Sequence, residues 1–158
     1  MGFALSDMQL TSSSFQNGGA IAAKYSKDGD DISPQLSWAN APAATKSFAI
    51  ICHDPDAPLI TPGQYGFVHW VLYNIPANTT SLEEGSTVGT PGTNNFGDQG
   101  WGGPQPPAGH GTHHYYFWIL ALDTETGLES GLDMWTLLEK IEPNVIAANR
   151  LMGTYKNG

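Results

Sequence analysis

Residues 67–75 read FVHWVLYNI, a run in which only His69 and Asn74 are neither apolar nor aromatic. Branched and aromatic side chains of this kind favour a β-strand. Strict alternation assigns the odd-numbered residues from Phe67 to Ile75 to one face and the even-numbered residues to the other. Because both faces are mostly apolar, the run predicts a central strand that is covered on both sides.

Two further strand candidates flank this run, and helical spacing appears only near the C-terminus. Ser47 to Cys52 is a compact apolar run, and His113 to Asp123 predicts a long strand. Pro143 predicts the first turn of a second helix, which Gly153 would end. The first helix is predicted from apolar residues at helical spacing after the N-cap candidate Asp133, namely Met134, Leu137, Leu138 and Ile141. Strands followed by helices predict a mainly β, antiparallel protein with appended helices.

Composition restricts the class of protein. With 158 residues the chain predicts a single domain spanning 1–158. Its net charge is −9 and it has only six Lys and Arg residues, which disfavours a nucleic-acid surface or an anionic-membrane patch. The single cysteine, Cys52, lies in an apolar run and is expected to be buried. We see no signal peptide and no membrane-spanning run, so the cytoplasm is the expected location.

Polar residues stand at the ends of the predicted strands. Asp54 and Asp56 follow one strand, His69 lies just inside the next, and His113 and Tyr115 open a third. If these strand ends meet, they surround a small cavity with carboxylates, imidazoles and a phenol, which suits a small anion. The long segment from Thr90 to Thr112 is expected to be an ordered functional loop. Two of its glycines, Gly109 and Gly111, would let backbone N–H groups approach a ligand.

Each of these residues also has an ordinary structural explanation. An Asp beside Pro is often a turn residue, and a lone His is often a buried and satisfied one. The cluster of His110, His113 and His114 suggests zinc, but residues 113 and 114 of a strand point to opposite faces, so we predict no metal and no cofactor. The acidic loop from Asp28 to Asp31 is expected to be a solvated turn, with calcium as the second choice.

Five stretches resemble one known family. DPDAP at 54–58 with FVHWVLYNIP at 67–76, and GPQPPAGHGTHHY at 103–115, are similar to the two signature regions of the phosphatidylethanolamine-binding (Raf-kinase-inhibitor-like) proteins. SPQLSW at 33–38 and LMGTY at 151–155 also fit. The similarity covers nearly the whole chain and is closest to the prokaryotic branch.

The resemblance implies a β-sandwich-like fold, with a large antiparallel sheet packed on a smaller one and C-terminal helices beside the pocket. It implies that the pocket takes phosphate, phosphoryl head groups or small carboxylates. The site residues it implies are Asp54, Asp56, His69, Pro107, Gly109, His113 and Tyr115. The chain departs from the family pattern at His114, where Arg is common, at Trp101 and at Gln105. These departures affect the identity of the ligand more than the fold.

Two functions remain open at this point. We favour a binding protein for a small anionic ligand, with regulation of a protein partner such as a kinase implied by eukaryotic relatives. The alternative is an enzyme in which Asp54, His69 and His113 act as general acid–base groups in isomerase, lyase or cyclase chemistry. A purely structural role ranks third. A homodimer is left open, and no nucleic-acid partner or stable membrane insertion is expected.

Overall fold

The computed structural model describes residues 5–57 and 66–157 and consists of two antiparallel sheets. This is the mainly β architecture predicted from the sequence. The strands are β1 Gln9–Thr11, β2 Leu36–Ala39, β3 Ser47–Asp54, β4 Phe67–Pro76, β5 Ser81–Leu82, β6 Thr90–Pro91, β7 Thr112–Leu122 and β8 Val145–Lys156. The smaller sheet has the order β1-β2-β5 and the larger has the order β6-β4-β3-β7-β8.

The main core lies between the two sheets. Phe48, Ile50 and Cys52 of β3 face Leu36 and Trp38 of β2 in one buried cluster. Residues of opposite parity in β3 lie in a second cluster on the far side of the large sheet. The predicted central strands are therefore covered on both faces, and Cys52 is fully buried as expected.

Two irregularities in β4 break the alternation that the sequence suggested. His53 pairs with Val68 and Cys52 with Trp70, so β4 carries one extra residue at His69. A second extra residue lies near Asn74, whose φ is 55°. Such bulges turn side chains to the other face. Val68 and Trp70 consequently enter different core clusters, and the prediction that they share a face is wrong.

One α-helix is present in the described residues, α1 Met134–Ile141. Its N-cap is Asp133, whose carboxylate accepts a hydrogen bond from the Thr136 N–H at 2.8 Å, as the sequence predicted. Leu137 is buried against the outer face of the large sheet, opposite the face that carries Phe48 and Cys52.

The predicted second helix is wrong. Pro143 is the second residue of a short 3₁₀ turn, Glu142–Asn144, and the chain then forms the twelve-residue strand β8. β8 lies at the edge of the sheet and pairs along the whole of β7, which supplies hydrogen bonds to one side of its backbone without a helix. Gly153 does not end a helix but permits close packing, since a Cβ there would lie 2.7 Å from Ile21 Cγ1 and 2.8 Å from Phe15 Cε2.

The segment between β6 and β7 is irregular but tied down by hydrogen bonds. The Trp101 indole N–H donates to the Tyr25 carbonyl at 3.0 Å, and the Gly103 N–H donates to the Asp31 carboxylate at 2.7 Å. Asp31, predicted as part of a solvated turn, also forms an ion pair with Lys27 at 3.0 Å. A Cβ on Gly103 would lie 2.1 Å from the Tyr25 carbonyl oxygen, so only glycine allows this approach.

Candidate functional site

A cavity of about 250 Å³ opens at one end of the large sheet. Because β3 runs antiparallel to both of its neighbours, its last residue lies beside the first residues of β4 and β7. The chain thus brings Asp54 next to the starts of the two strands that carry His69 and His113. The irregular loop before β7 forms the remaining wall. The lining residues are Asp54, Ala57, Phe67, His69, Phe96, Gln105, Pro106, Pro107, His113 and Tyr115.

Asp54 and His113 form a buried pair in this cavity. His113 Nδ1 lies 2.7 Å from Asp54 Oδ2, and both side chains are almost fully buried. The other carboxylate oxygen accepts from the Asp56 N–H at 2.8 Å. Burial raises the pKa of Asp54, and the hydrogen bond from His113 opposes that rise. Because the Asp54 carboxylate accepts a hydrogen bond from His113 Nδ1, a proton is fixed on that nitrogen, and Nε2 is left for a ligand.

His69 is held by a backbone carbonyl. Its Nδ1 donates to the Gly102 carbonyl oxygen at 2.6 Å. Burial lowers the pKa of His69 to about 4, although the carbonyl groups of Gly102 and Gly103 oppose the shift. The His69 ring is therefore neutral at neutral pH. The bulge in β4 brings this ring to the same face as Tyr115, with the ring centroids 5.1 Å apart.

Tyr115 supplies a hydroxyl group in the same cavity. The residue is buried, and no described residue makes a hydrogen bond to its hydroxyl. Burial raises its pKa, and the nearby carboxylate of Asp54 adds to the effect. The side chain therefore stays a phenol that can donate to a ligand.

The sequence analysis missed much of the apolar wall. The Phe96 ring packs on Phe67 at 4.6 Å and on His69 at 5.7 Å between centroids. A Cβ on Gly102 would lie 2.4 Å from the Phe96 ring, so glycine at residue 102 leaves the space that this ring occupies. An aromatic residue within an otherwise Gly-rich loop was the available signal for this wall.

Comparison with known proteins agrees with the motifs. The family model described as phosphatidylethanolamine-binding protein matches residues 11–156. The chain belongs to the phosphatidylethanolamine-binding protein family. It is 42% identical to a "UPF0098 protein" of Aquifex aeolicus, in a match covering 94% of this chain and 88% of that protein.

Solved structures of bacterial family members have the same fold. A putative phosphatidylethanolamine-binding protein homologue of Chlamydia trachomatis, CT736, superposes with a TM-score of 0.89 at 38% identity, covering 96% of this chain and 98% of that one. Escherichia coli YbcL gives a TM-score of 0.87 at 32% identity, covering 97% and 100%. The prokaryotic resemblance predicted from the sequence is confirmed.

Two residues expected at the site of this family member lie outside the cavity lining. Asp56 binds His114 instead, since its Oδ2 accepts from the backbone N–H at 2.8 Å and lies 2.6 Å from the ring Nδ1. Burial raises the pKa of Asp56, but the hydrogen bonds from His114 outweigh it and leave the pKa below its usual value. Gly109, the second residue outside the lining, is exposed and has a φ of 81°. Pro107, which was also expected at the site, does line the cavity. Pro58 of the first signature lies outside the described residues.

The two adjacent histidines of β7 thus contact the C-terminal end of β3 and the residues that follow it. His113 pairs with the buried Asp54 in the cavity, and His114 pairs with Asp56 at the surface. His110, the third histidine of the cluster for which zinc was considered, stacks on His113 with the ring centroids 5.7 Å apart. Across residues 5–57 and 66–157, no group of three or more His, Cys, Asp or Glu side chains is placed to hold a metal ion. The same ranges contain no helix long and apolar enough to cross a membrane.

Proposed function

We propose that this family member binds a small anion, such as phosphate, a phosphoryl head group or a carboxylate, in the cavity at the end of the large sheet. The observation that carries the proposal is the buried Asp54–His113 pair, which leaves His113 Nε2 available. When both nitrogens of the His113 ring carry protons, Nε2 donates to the anion and the Asp54 carboxylate offsets the charge of the ring. Tyr115 adds a second donor, and hydrogen bonds to a charged group contribute about 1.5–3 kcal/mol each.

The size and lining of the cavity support a small ligand with an apolar part. A volume of about 250 Å³ lies below the range typical for drug-sized ligands, about 300–1,000 Å³. Phe67, Phe96, Pro106 and Pro107 give one side of the cavity an apolar wall. The name of the family, phosphatidylethanolamine-binding protein, is consistent with a phosphoryl ligand. Regulation of a protein partner stays a prediction, because it rests on the resemblance alone.

The test is an NMR titration of the five histidine imidazoles with phosphate, phosphorylethanolamine and acetate at constant pH and ionic strength. We expect the signals of His69 and His113 to shift together and to saturate. Tyr115→Phe is the matched variant, since it keeps the ring and removes the donor, and it should bind phosphate about tenfold more weakly. Five unmoved histidine signals would rule out the cavity as the anion site.

A second candidate function is catalysis, which the buried Asp54–His113 pair also favours. A carboxylate that orients an imidazole is a common arrangement for proton transfer. The neutral ring of His69 offers a second proton acceptor in the same cavity. A turnover substrate with a bell-shaped pH–rate profile that Asp54→Asn abolishes would establish catalysis, whereas binding without turnover would leave the binding function alone.

A further inference from the structure

The cavity-facing nitrogen of His69 is a hydrogen-bond acceptor. A carbonyl oxygen can only accept, so the hydrogen bond to Gly102 requires the proton on His69 Nδ1. In a neutral imidazole the other nitrogen, Nε2, then carries a lone pair. His69 lines the cavity and forms its side-chain hydrogen bond through Nδ1, so Nε2 is the nitrogen left to meet a ligand.

The groups around His69 keep it neutral. The residue is 3% exposed, so burial disfavours a second proton on its ring, and repulsion from Lys27 adds to that effect. Lys27 Nζ lies 4.3 Å from the centroid of Phe96, the ring that packs on His69. The carboxylate of Asp54, which would favour protonation, is already engaged by His113 and by the Asp56 N–H.

The cavity therefore presents donors and an acceptor together. The Tyr115 hydroxyl donates to anion oxygens, as does His113 Nε2 when both nitrogens of that ring carry protons, whereas His69 Nε2 repels an anion oxygen that carries no proton. An anion that bears its own hydroxyl group satisfies both, since its bare oxygens accept from Tyr115 and His113 while its hydroxyl donates to His69.

We propose that the cavity selects anions that carry an ionisable proton, of the hydrogen phosphate class, and rejects the fully deprotonated sulfate ion of similar size and shape. This inference rests on the proposed anion-binding function. Sites that pair a ligand hydroxyl with a buried polar group discriminate strongly against analogues that lack it. Carboxylates, which have lost their proton at neutral pH, meet the same lone pair and are expected to bind more weakly than phosphate.

The test compares inorganic phosphate with sulfate at pH 6.5 and equal ionic strength, by calorimetry and by the NMR shift of the His113 imidazole. Phosphate keeps at least one proton at this pH, and sulfate keeps none. We expect phosphate to bind at least about tenfold more tightly. Equal affinities would overturn the selectivity and leave the proposed function standing. Binding of neither ion would overturn both.

Two variants of His69 test the atom responsible. His69→Asn keeps an amide donor near the Gly102 carbonyl and removes the nitrogen at the Nε2 position, so it should reduce the preference for phosphate to about twofold or less. His69→Gln places an amide that can donate at the Nε2 position, and it should turn the preference towards sulfate. Circular dichroism checks that each variant is folded. If folded His69→Asn keeps the full preference for phosphate over sulfate, Nε2 of His69 is not the cause of that preference. If either variant fails to fold, the comparison of phosphate with sulfate in the unaltered protein still tests the proposal.

Discussion

Acid should destabilise this protein through His69, and the size of the effect follows from its burial. The unfolded chain binds a proton at this residue near pH 6.5, whereas the folded chain does so only near pH 4. Between these values the unfolded state holds more protons, so falling pH favours unfolding. A pKa difference of this size corresponds to about 3 kcal/mol once the pH is well below 4, and to about 2.5 kcal/mol at pH 4.5.

Variants that cannot titrate at residue 69 isolate this contribution. The raised pKa of Asp54 has the opposite effect on stability, because the folded state binds a proton there at a higher pH than the unfolded state does. This contribution cancels in the comparison, since Asp54 is present in every protein compared. We would measure urea unfolding by tryptophan fluorescence at pH 7.0, 5.5 and 4.5 for the unaltered protein, His69→Gln and His69→Asn. The unaltered protein should lose about 2.5 kcal/mol more than either variant between pH 7.0 and 4.5. Parallel losses would show that burial does not lower the pKa of His69, so that a large fraction of the folded protein would lack the acceptor at pH 6.5.

Three other predictions test the remaining structural assignments. Gly153→Ala should destabilise the fold by about 1–3 kcal/mol, because its Cβ would meet Ile21 and Phe15 within 2.8 Å; unchanged urea unfolding would show that these side chains move aside freely. Asp133→Ala should cost about 1 kcal/mol through loss of the cap to Thr136, whereas Asp133→Ser should cost little, and equal losses in the two variants would argue against the hydrogen bond as the cause. His114→Ala should raise the pKa of Asp56 towards its usual value, measured from the carboxyl carbon shift; an unchanged titration would show that His114 does not hold this carboxylate in solution.

The sequence predicted the strands better than their details. The apolar runs that became β3 and β4 were identifiable because burial on both sides leaves a clear apolar pattern, and β7 was identifiable from its apolar C-terminal half. The bulge at His69 could not be predicted, since an extra residue depends on pairing with β3 and leaves the composition of β4 unchanged. β8 was assigned to a helix for a similar reason, because its pairing with β7 overrides the local signal of Pro143 and Gly153.

Part of the site followed from strand ends alone. Asp54, His69, His113 and Tyr115 were expected to meet, and antiparallel pairing does place them around one cavity. The part of the cavity wall formed by Phe96 could not be predicted, because it depends on contacts between segments that are distant in the sequence. Phe96 reaches His69 only because the loop is anchored through Trp101 and Gly103 to residues 25 and 31, far away in the sequence.

The overall charge of −9 does not prevent an anion from binding in this cavity. Charges on the surface are screened over about 8 Å at physiological salt, so the groups that line the cavity decide. Those groups offer little net positive charge, because the Asp54 carboxylate is paired with His113 and the buried ring of His69 carries no charge at neutral pH. A nearly neutral site gains little from the ligand's total charge and more from matching donors with acceptors. The direction of hydrogen bonding at His69 Nε2 should therefore discriminate between ligands more strongly than their charge, which a comparison of phosphate and sulfate in the His69 variants measures directly.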